Sequence, residues 1–317
     1  MATLTERLGT AENSGGAVLA DRPVAGSEFR DFWTLLKPNV MQLVVFTSWV
    51  GLFLAPGDLH PLLAFTAMLC IAVGAGASAA INNWYDRDID CRMARTRLRP
   101  TATGRIAPEE ALAVGVVLAL LSVMVMGVAL NWLAAGLLAL TIGFYVFVYT
   151  MFLKRRTPQN IVIGGAAGSF PPLVAWTAVT GDVALLPLVM FAIIFLWTPP
   201  HFWALALYRT GDYDKVGVPM LPVVAGRTVT RRHIVAYTVI LLAVSVVPTA
   251  TGDLGLLYGA AAALLGAGFL FYALKLWRDD SDVTAMRTFR FSILYLFLLF
   301  AAMVADRLLD PLLRGLT

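Results

Sequence analysis

Charged residues are scarce in this sequence, making up 14% of its 317 residues, whereas 59% of the residues are hydrophobic. A water-soluble domain of this length needs a much larger polar fraction to cover its surface, so this composition excludes an ordinary soluble protein. Apolar runs of about 20 residues, the length needed to cross a bilayer, recur along the chain. The composition therefore indicates a polytopic membrane protein.

Cysteine is almost absent as well, with Cys70 in an apolar run and Cys91 in a polar loop. Without CxxC or paired spacing, neither a disulfide framework nor a zinc site is expected. The N-terminal region also lacks a secretory signal peptide, because its apolar run at 17–20 is too short. We expect a disordered cytoplasmic tail over residues 1–28 and one membrane domain over residues 29–317.

Nine apolar segments predict membrane-spanning helices. They cover approximately residues 34–55, 61–83, 109–130, 132–153, 160–180, 184–208, 233–251, 254–276 and 289–309. Of the 24 lysines and arginines, all but Arg307 and Arg314 lie at or beyond the ends of the spans that face one side, namely before the first span and after the even-numbered ones. Because basic loops stay in the cytoplasm, this pattern predicts an all-α protein with its N-terminus in the cytoplasm and its C-terminus outside. It also explains the net positive charge without a nucleic-acid partner.

An acidic segment follows the second predicted span, and we call residues 82–90 the first acidic segment. Asn82, Asp86 and Asp90 are spaced four apart, which puts their side chains on one side of a continuing helix. Carboxylate and amide oxygens are the ligands that Mg²⁺ prefers. A solvated loop in which these aspartates pair with arginines is the alternative. The stripe begins inside an apolar span, where polar residues are usually functional, and Arg92, Arg95, Arg97 and Arg99 follow. Acids for a metal beside bases for an anion indicate a metal–diphosphate site.

Polar residues also gather at the end of the sixth predicted span. His201, Tyr208 and Asp212 share one face if the helix continues, although Gly211 is a candidate for ending it. We call residues 208–215 the second acidic segment. His201 is interpreted either as a core histidine bonded to a carbonyl group or as a residue that contacts substrate.

A basic triplet follows the fourth predicted span, beginning at Lys154 and continuing with Arg155. By itself it is typical of cytoplasmic anchoring. Together with the two acidic segments it becomes a candidate clamp for a diphosphate.

Three segments carry a specific resemblance, namely NNWYDRDIDCRMARTRLRPTATGRI (82–106), YTMFLKRRTPQNIVIGGAAGSFPPLVAW (149–176) and TPPHFWALALYRTGDYDKVGVPMLPVVAG (198–226). With these motifs and its predicted layout, the chain resembles the UbiA-type intramembrane prenyltransferases over about residues 30 to 310. Within that family it is most similar to the branch that farnesylates haem. The resemblance implies nine helices around a central cavity in a bacterial-type inner membrane, with the active site facing the cytoplasm.

The resemblance also implies an activity and its residues. A farnesyl group would pass from farnesyl diphosphate to a vinyl group of haem B to give haem O, with Mg²⁺ as cofactor and a haem A synthase as a protein partner. The implied metal ligands are Asn82, Asp86, Asp90 and Asp212. The implied catalytic group comprises Asp86, Asp90, Asp212 and Tyr208. The implied diphosphate ligands are Arg97, Arg99, Lys154, Arg155 and Lys215.

Within this resemblance, His201 is the candidate contact to haem, and Asp214 is a further candidate acid. Tyr208 stands where many members of the family have a second acidic residue, four positions before Asp212. The number of metal ions is therefore left open.

Two other functions fit parts of the pattern. The first keeps the chemistry and replaces haem by a quinone precursor or a chlorin. The second is a transporter or channel, a class that also has many spans and polar residues in the membrane. Transporters place their sites near the bilayer midplane, whereas the acids here gather at one membrane face, which favours the enzyme.

Overall fold

The computed structural model describes residues 28–314, most of which are helical, and no β-strand occurs in this range. The tail expected over residues 1–28 lies outside the described residues, except for Glu28. Within the range, the long helices α1 to α9 are Pro38–Leu54, Pro61–Tyr85, Pro108–Ala129, Trp132–Leu153, Asn160–Thr180, Leu185–Tyr208, Gly226–Ser245, Leu256–Arg278 and Asp282–Arg314. Short helices occupy Phe29–Leu35, Arg87–Asp90, Pro100–Thr103, Thr210–Asp214, Leu221–Val224 and Val247–Ala250.

Eight of the long helices in the described range are long and apolar enough to cross a membrane. The exception is α1, whose apolar part, Met41–Leu54, is shorter than a full span. Each predicted span falls on a helix, and the all-α membrane class is confirmed. The bounds differ most at α7 and α9, which begin at Gly226 and Asp282 rather than near residues 233 and 289. Both helices begin with polar turns that an apolar run does not reveal.

Helices α5 and α6 form the centre of the bundle, and most of their apolar residues are buried. α5 packs against α1, α4 and α6, and α6 also packs against α7 and α9. The close contact of α1 with α5 depends on Gly51, because a Cβ atom there would lie 2.3 Å from the carbonyl oxygen of Pro172. Helix α5 remains continuous through Pro171–Pro172, and helix α6 remains continuous through Pro199–Pro200.

Helix α4 changes its winding halfway along. It is α-helical over Trp132–Gly143 and π-helical over Phe144–Leu153. The amide nitrogen of Lys154 donates to the carbonyl oxygen of Tyr149 at 2.9 Å, five residues back, as π-helical winding requires. π-Helical segments are rare and often lie at functional sites. This one ends directly at the basic triplet that was predicted as a diphosphate clamp.

A buried carboxylate in α9 has a structural role. Asp306 accepts hydrogen bonds from the amide nitrogens of Gly255 at 2.6 Å and Tyr258 at 3.0 Å. These amides lie at the start of α8, where a helix leaves N–H groups without partners of its own. Asp306 therefore caps α8 and fastens it to α9.

Candidate active site

The acidic stripe lies at the end of α2 and in the short helix that follows. Although α2 ends at Tyr85, the amide of Asp86 still donates to the carbonyl of Asn82, and the amide of Asp90 to that of Asp86, both at 2.9 Å. Helical spacing therefore continues across the junction, and all three stripe side chains are buried. The side-chain nitrogen of Asn82 donates to Oδ2 of Asp86 at 2.7 Å. The stripe is thus a compact, buried group of oxygen-bearing side chains.

Each buried carboxylate of the stripe has a basic partner from another part of the chain. Nζ of Lys154 contacts Oδ2 of Asp86, and a guanidinium nitrogen of Arg99 lies 2.6 Å from Oδ2 of Asp90. A charge held away from water is costly unless it is paired and hydrogen-bonded. The pairing therefore holds α2, the end of α4 and the loop after α2 together.

Arg155 ties the stripe to its exposed neighbour Asp88. One guanidinium nitrogen lies 3.2 Å from Oδ1 of Asp86 and 2.7 Å from Oδ1 of Asp88, and the guanidinium group lies over the ring of Tyr85 at 4.9 Å. The hydrogen bond from Arg155 lowers the pKa of Asp88, and the same contact raises the pKa of Arg155. Arg155 is therefore already engaged by the protein, although the sequence predicted it as a diphosphate ligand.

Lys37, which the sequence did not single out, completes a buried group of polar side chains. We call this group the charged cluster, and its members are Lys37, Asn82, Asp86, Asp90, Arg99 and Lys154. Its Nζ donates to the side-chain oxygen of Asn82 at 2.9 Å. Burial lowers the pKa of Lys37 well below its ordinary value, and the positive charges of Arg99 and Lys154 act in the same direction. Three cations this close repel one another and favour a bound anion. The feature of the sequence that could have pointed to Lys37 is its position directly before Pro38, the first residue of α1.

The backbone of Lys37 is in the left-handed region, with φ of 54°. No other residue besides glycine has a positive φ in the described part of the chain. Such a conformation costs a residue with a side chain about 1–2 kcal/mol. Strain of this kind clusters at functional sites, because the surrounding structure must hold it in place.

The cluster opens into a central cavity of about 610 Å³, a size that fits a small organic ligand. The polar end of the cavity is lined by Lys37, Asn82, Arg95, Arg99 and Lys154. Its remaining walls come mainly from α1, α2, α4, α5, α6 and α9, and most of their lining side chains are apolar or aromatic. The cavity therefore joins a site for an anionic group to a chamber for an apolar one.

The second acidic segment does not form the predicted stripe. α6 ends at Tyr208, where Arg209 leaves helical geometry with φ of −111° and ψ of 20°, and a new short helix, Thr210–Asp214, begins. The helix therefore does not continue to Asp212, and the condition under which His201, Tyr208 and Asp212 would share one face is not met. Tyr208 is 41% exposed, and Asp212 lies 3.6 Å from its own neighbour Arg209.

Two predicted diphosphate ligands also lie away from the cavity. Arg97 and Lys215 are exposed, and neither lines the cavity. Arg95, two residues before Arg97, does line it. Residues 91–99 form an irregular turn, so spacing in the sequence could not show which arginine faces inward.

His201 lies in the apolar part of the cavity wall and is buried. Its ring stacks on Trp197, with centroids 4.2 Å apart, and on Phe289, with centroids 4.6 Å apart. Its Nδ1 lies 2.7 Å from the hydroxyl oxygen of Ser292. The structure thus places His201 beside the chamber rather than in the charged cluster.

The donor atoms of the stripe fit Mg²⁺ in one particular way. No group of three or more His, Cys, Asp or Glu side chains in residues 28–314 is arranged to hold a metal by itself. The stripe instead offers two carboxylates and an amide oxygen on one surface, beside basic residues. Mg²⁺ is commonly bound by one or two carboxylates together with the phosphates of a substrate. Asn82, Asp86 and Asp90 therefore suit a cation that arrives with a diphosphate.

Residues 44–301 of the chain match the model of the UbiA prenyltransferase family. The protoheme IX farnesyltransferase of Parvibaculum lavamentivorans is 60% identical over 284 residues, which are 88% of this chain and 89% of that protein. This similarity extends over nearly the whole length of both proteins.

Two solved structures have a similar fold. A digeranylgeranylglyceryl phosphate synthase is 17% identical, with a TM-score of 0.74 over 87% of this chain and 97% of its own. A UbiA homolog from Archaeoglobus fulgidus, bound to GPP and Mg²⁺, is also 17% identical, with a TM-score of 0.63 over 86% of this chain and 99% of its own. At this level of identity the likeness shows a shared fold.

Proposed function

Because the chain belongs to the UbiA prenyltransferase family, we propose that it transfers a farnesyl group from farnesyl diphosphate to a vinyl group of haem B, giving haem O and diphosphate. The 60% identical relative named protoheme IX farnesyltransferase supports this choice of donor and acceptor. The observation that carries the proposal is the central cavity, which joins the buried charged cluster to an apolar chamber.

The proposed reaction balances as follows. The bond between C1 of the farnesyl group and the diphosphate oxygen breaks, and the electron pair leaves with the diphosphate. A bond forms between C1 and the terminal vinyl carbon of haem B. The positive charge left on the adjacent carbon is taken up by water, which loses a proton and becomes the hydroxyl group of haem O. Farnesyl diphosphate, haem B and water thus give haem O, diphosphate and a proton.

Residues at the polar end of the cavity hold the diphosphate in this proposal. Lys37, Arg99 and Lys154 neutralise the negative charge that grows on the leaving group, because preorganised cations stabilise such charge without reorganising. Asn82 is oriented for its role by its bonds to Lys37 and Asp86.

The stripe would hold the metal through Asn82, Asp86 and Asp90. Mg²⁺ bound there supplies further positive charge against the leaving diphosphate. The Archaeoglobus fulgidus homolog bound to GPP and Mg²⁺ supports a metal-dependent site in this family. Asp212 is proposed as an acid that joins this site when the substrate is bound. Tyr208, Arg97 and Lys215 are assigned no contact with the diphosphate, because none of them lines the cavity.

The apolar part of the cavity would hold the farnesyl chain and the edge of the porphyrin. Its walls keep water away from C1 while positive charge develops there, and a dry site also strengthens the interactions around the diphosphate. Both substrates are largely apolar, so entry from the lipid bilayer is consistent with their chemistry.

We further propose that the site faces the cytoplasm of a bacterial-type inner membrane. The segments that contain the charged cluster carry most of the lysines and arginines, as the positive-inside rule requires of cytoplasmic loops. A haem A synthase, which oxidises haem O, is proposed as the partner that takes up the product.

The test uses purified full-length protein in lipid nanodiscs, supplied with farnesyl diphosphate and MgCl₂. Haem B and 4-hydroxybenzoate are offered as competing acceptors, and products are identified by mass spectrometry. We expect haem O to form and its formation to stop when EDTA removes the metal. Prenylation of 4-hydroxybenzoate without haem O would overturn the proposed acceptor, and solute flux in liposomes without any product would overturn the enzyme class.

A further inference from the structure

The imidazole ring of His201 is clamped in one orientation. It lies between Trp197 and Phe289, with interplanar angles of 21° and 30°. Ser292 of α9 holds this arrangement at two points, because its hydroxyl oxygen lies 2.7 Å from Nδ1 of His201 and its carbonyl oxygen accepts from Nε1 of Trp197 at 2.7 Å. A buried ring held by two aromatic neighbours and a hydrogen bond cannot turn freely.

The hydrogen bonds of Ser292 determine which ring nitrogen carries the proton. The hydroxyl group of Ser292 donates its single hydrogen to the carbonyl oxygen of Phe289 at 2.6 Å. It must therefore accept at its other contact, so Nδ1 of His201 is the N–H donor. The second nitrogen, Nε2, then carries a free lone pair. Among the described residues, no protein group is hydrogen-bonded to it.

The serine and threonine hydroxyl groups in the same apolar wall are already committed. The hydroxyl groups of Thr47, Ser78, Thr141 and Thr198 each donate to a carbonyl oxygen in their own helix. They add no unpaired donor to the chamber. His201 differs from these residues, because it lines the cavity and only one of its two ring nitrogens has a protein partner. The lone pair of the other nitrogen suits a ligand that accepts it, such as a metal ion.

We propose that Nε2 of His201 binds the iron of the porphyrin acceptor and that Ser292 is the positioning residue that fixes the required tautomer. This inference rests on the proposed function, in which haem B is a substrate. A neutral imidazole whose other nitrogen donates a hydrogen bond is a common iron ligand in proteins, and the second partner orients the ring and raises its basicity. The site would therefore select iron porphyrins over metal-free ones.

Iron binding by His201 of α6, with Ser292 of α9 as its support, would position the porphyrin relative to the charged cluster. His201 lies seven residues before the end of α6, or about 10 Å along the helix axis. Asn82 lies only three residues before the end of α2, or about 5 Å. An iron atom held at His201 would thus lie deeper along its helix than the charged cluster, so the rim of the porphyrin could point back toward C1 of the farnesyl group.

The experiment measures porphyrin binding apart from turnover. Full-length protein in nanodiscs is titrated with haem B and with metal-free protoporphyrin IX, and absorption and magnetic circular dichroism spectra are recorded. We expect the wild type to show a histidine-ligated spectrum and to bind haem B at least tenfold more tightly than the metal-free ring. His201→Ala should lose both properties, and added imidazole should restore the spectrum.

Two further variants keep the inference testable if the alanine variant fails to fold. His201→Cys should replace the histidine signature by that of a thiolate ligand. Ser292→Ala should weaken the preference for haem B severalfold, and Ser292→Thr, which keeps the hydroxyl group, should retain it. His233→Ala is the matched control, because His233 is exposed and its Nδ1 contacts only the carbonyl oxygen of Val229 in its own helix.

Haem O formation is measured on the same samples. An unchanged spectrum and an unchanged binding ratio in His201→Ala, with haem O still formed by the wild type, would overturn the iron site and leave the proposed function intact. Failure of the wild type to form haem O would instead overturn the function.

Discussion

The first and second acidic segments lie at the ends of α2 and α6, yet they differ in how firmly the protein holds them. Asp86 and Asp90 are both buried. Lys154, the partner of Asp86, lies far from it in the sequence, and Arg99, the partner of Asp90, lies nine residues after it. Asp212 is partly buried and pairs only with Arg209, three residues before it. Ion pairs to the end of α4 and to the loop after α2 fix the first segment, whereas the second relies on a pair three residues apart.

This difference indicates that the two acidic segments contribute to the site in different ways. The first segment is preorganised, because its charges are already in place and desolvated, and this suits the cation and diphosphate that we propose it binds. The second segment lacks such partners, so a bound ligand can change its conformation more easily. We therefore expect substitutions in the first segment to reduce catalysis strongly and those in the second to have smaller effects on substrate affinity.

The largest expected effect follows from Asp86→Asn. It should lower kcat for haem O formation by about 1,000-fold, because it removes a buried charge on which both the metal and Lys154 depend. Haem O is quantified by mass spectrometry, and the amount of folded protein in the membrane is checked by size-exclusion chromatography. Asp88→Asn is the matched control, and we expect less than about fivefold loss from this exposed pair. Near-normal turnover by Asp86→Asn would refute the assignment.

Lys154→Ala tests the basic side of the same comparison. Loss of a buried charged partner typically costs about 2 kcal/mol or more, so KM for farnesyl diphosphate should rise at least about 30-fold. Haem B affinity, measured by spectral titration, should change little. Arg156→Ala is the control, because Arg156 is exposed and lies over the ring of Phe152 at 4.6 Å. Equal losses for both substrates would count against a role in diphosphate binding.

Gly164→Ala tests how packing holds α4 next to the first segment. A Cβ atom at Gly164 would lie 2.2 Å from Cδ2 of Tyr149, so the ring or the helix must move. We expect a loss of about 2 kcal/mol in the free energy of unfolding, measured by denaturant titration in detergent. Gly168→Ala, one turn later and with open space around it, should leave stability unchanged or slightly higher. Similar effects of both substitutions would contradict the close contact.

The smallest effect is expected from Asp212→Asn. If Asp212 joins the diphosphate site only when substrate is bound, KM for farnesyl diphosphate should rise about tenfold, which corresponds to about 1.4 kcal/mol. Unfolding should hardly change, because a partly exposed ion pair contributes less than about 1 kcal/mol. Asp214→Asn is the control at an exposed position of the same short helix. A loss as large as that of Asp86→Asn would remove the distinction between the two segments.

Features that depend on regular repetition could be predicted from the sequence. Apolar runs located the helices, and the four-residue spacing of Asn82, Asp86 and Asp90 located the buried stripe. Lys154 was predicted from its position at the membrane boundary, and the structure pairs it with Asp86. Each of these predictions needed only helical geometry and the cost of placing polar groups in lipid.

Features that depend on irregular backbone could not be predicted in this way. The spacing of Tyr208 and Asp212 implied one continuous helix, but the change of conformation at Arg209 separates them. Arg95 rather than Arg97 lines the cavity, because the turn that contains them follows no regular period. Lys37 was overlooked because a lysine before a membrane helix is typical of simple anchoring.

The π-helical part of α4 determines how the end of this helix is rotated relative to its α-helical part. If the segment Phe144–Leu153 wound as an ordinary α-helix, each of its residues would turn by about 100° around the axis, more than in the wider π-helical turn, and every later side chain would point in a new direction. Lys154 would then point away from Asp86, although no charged residue had been altered. The alignment of the charged cluster therefore depends on the winding of an uncharged stretch as much as on the charges themselves.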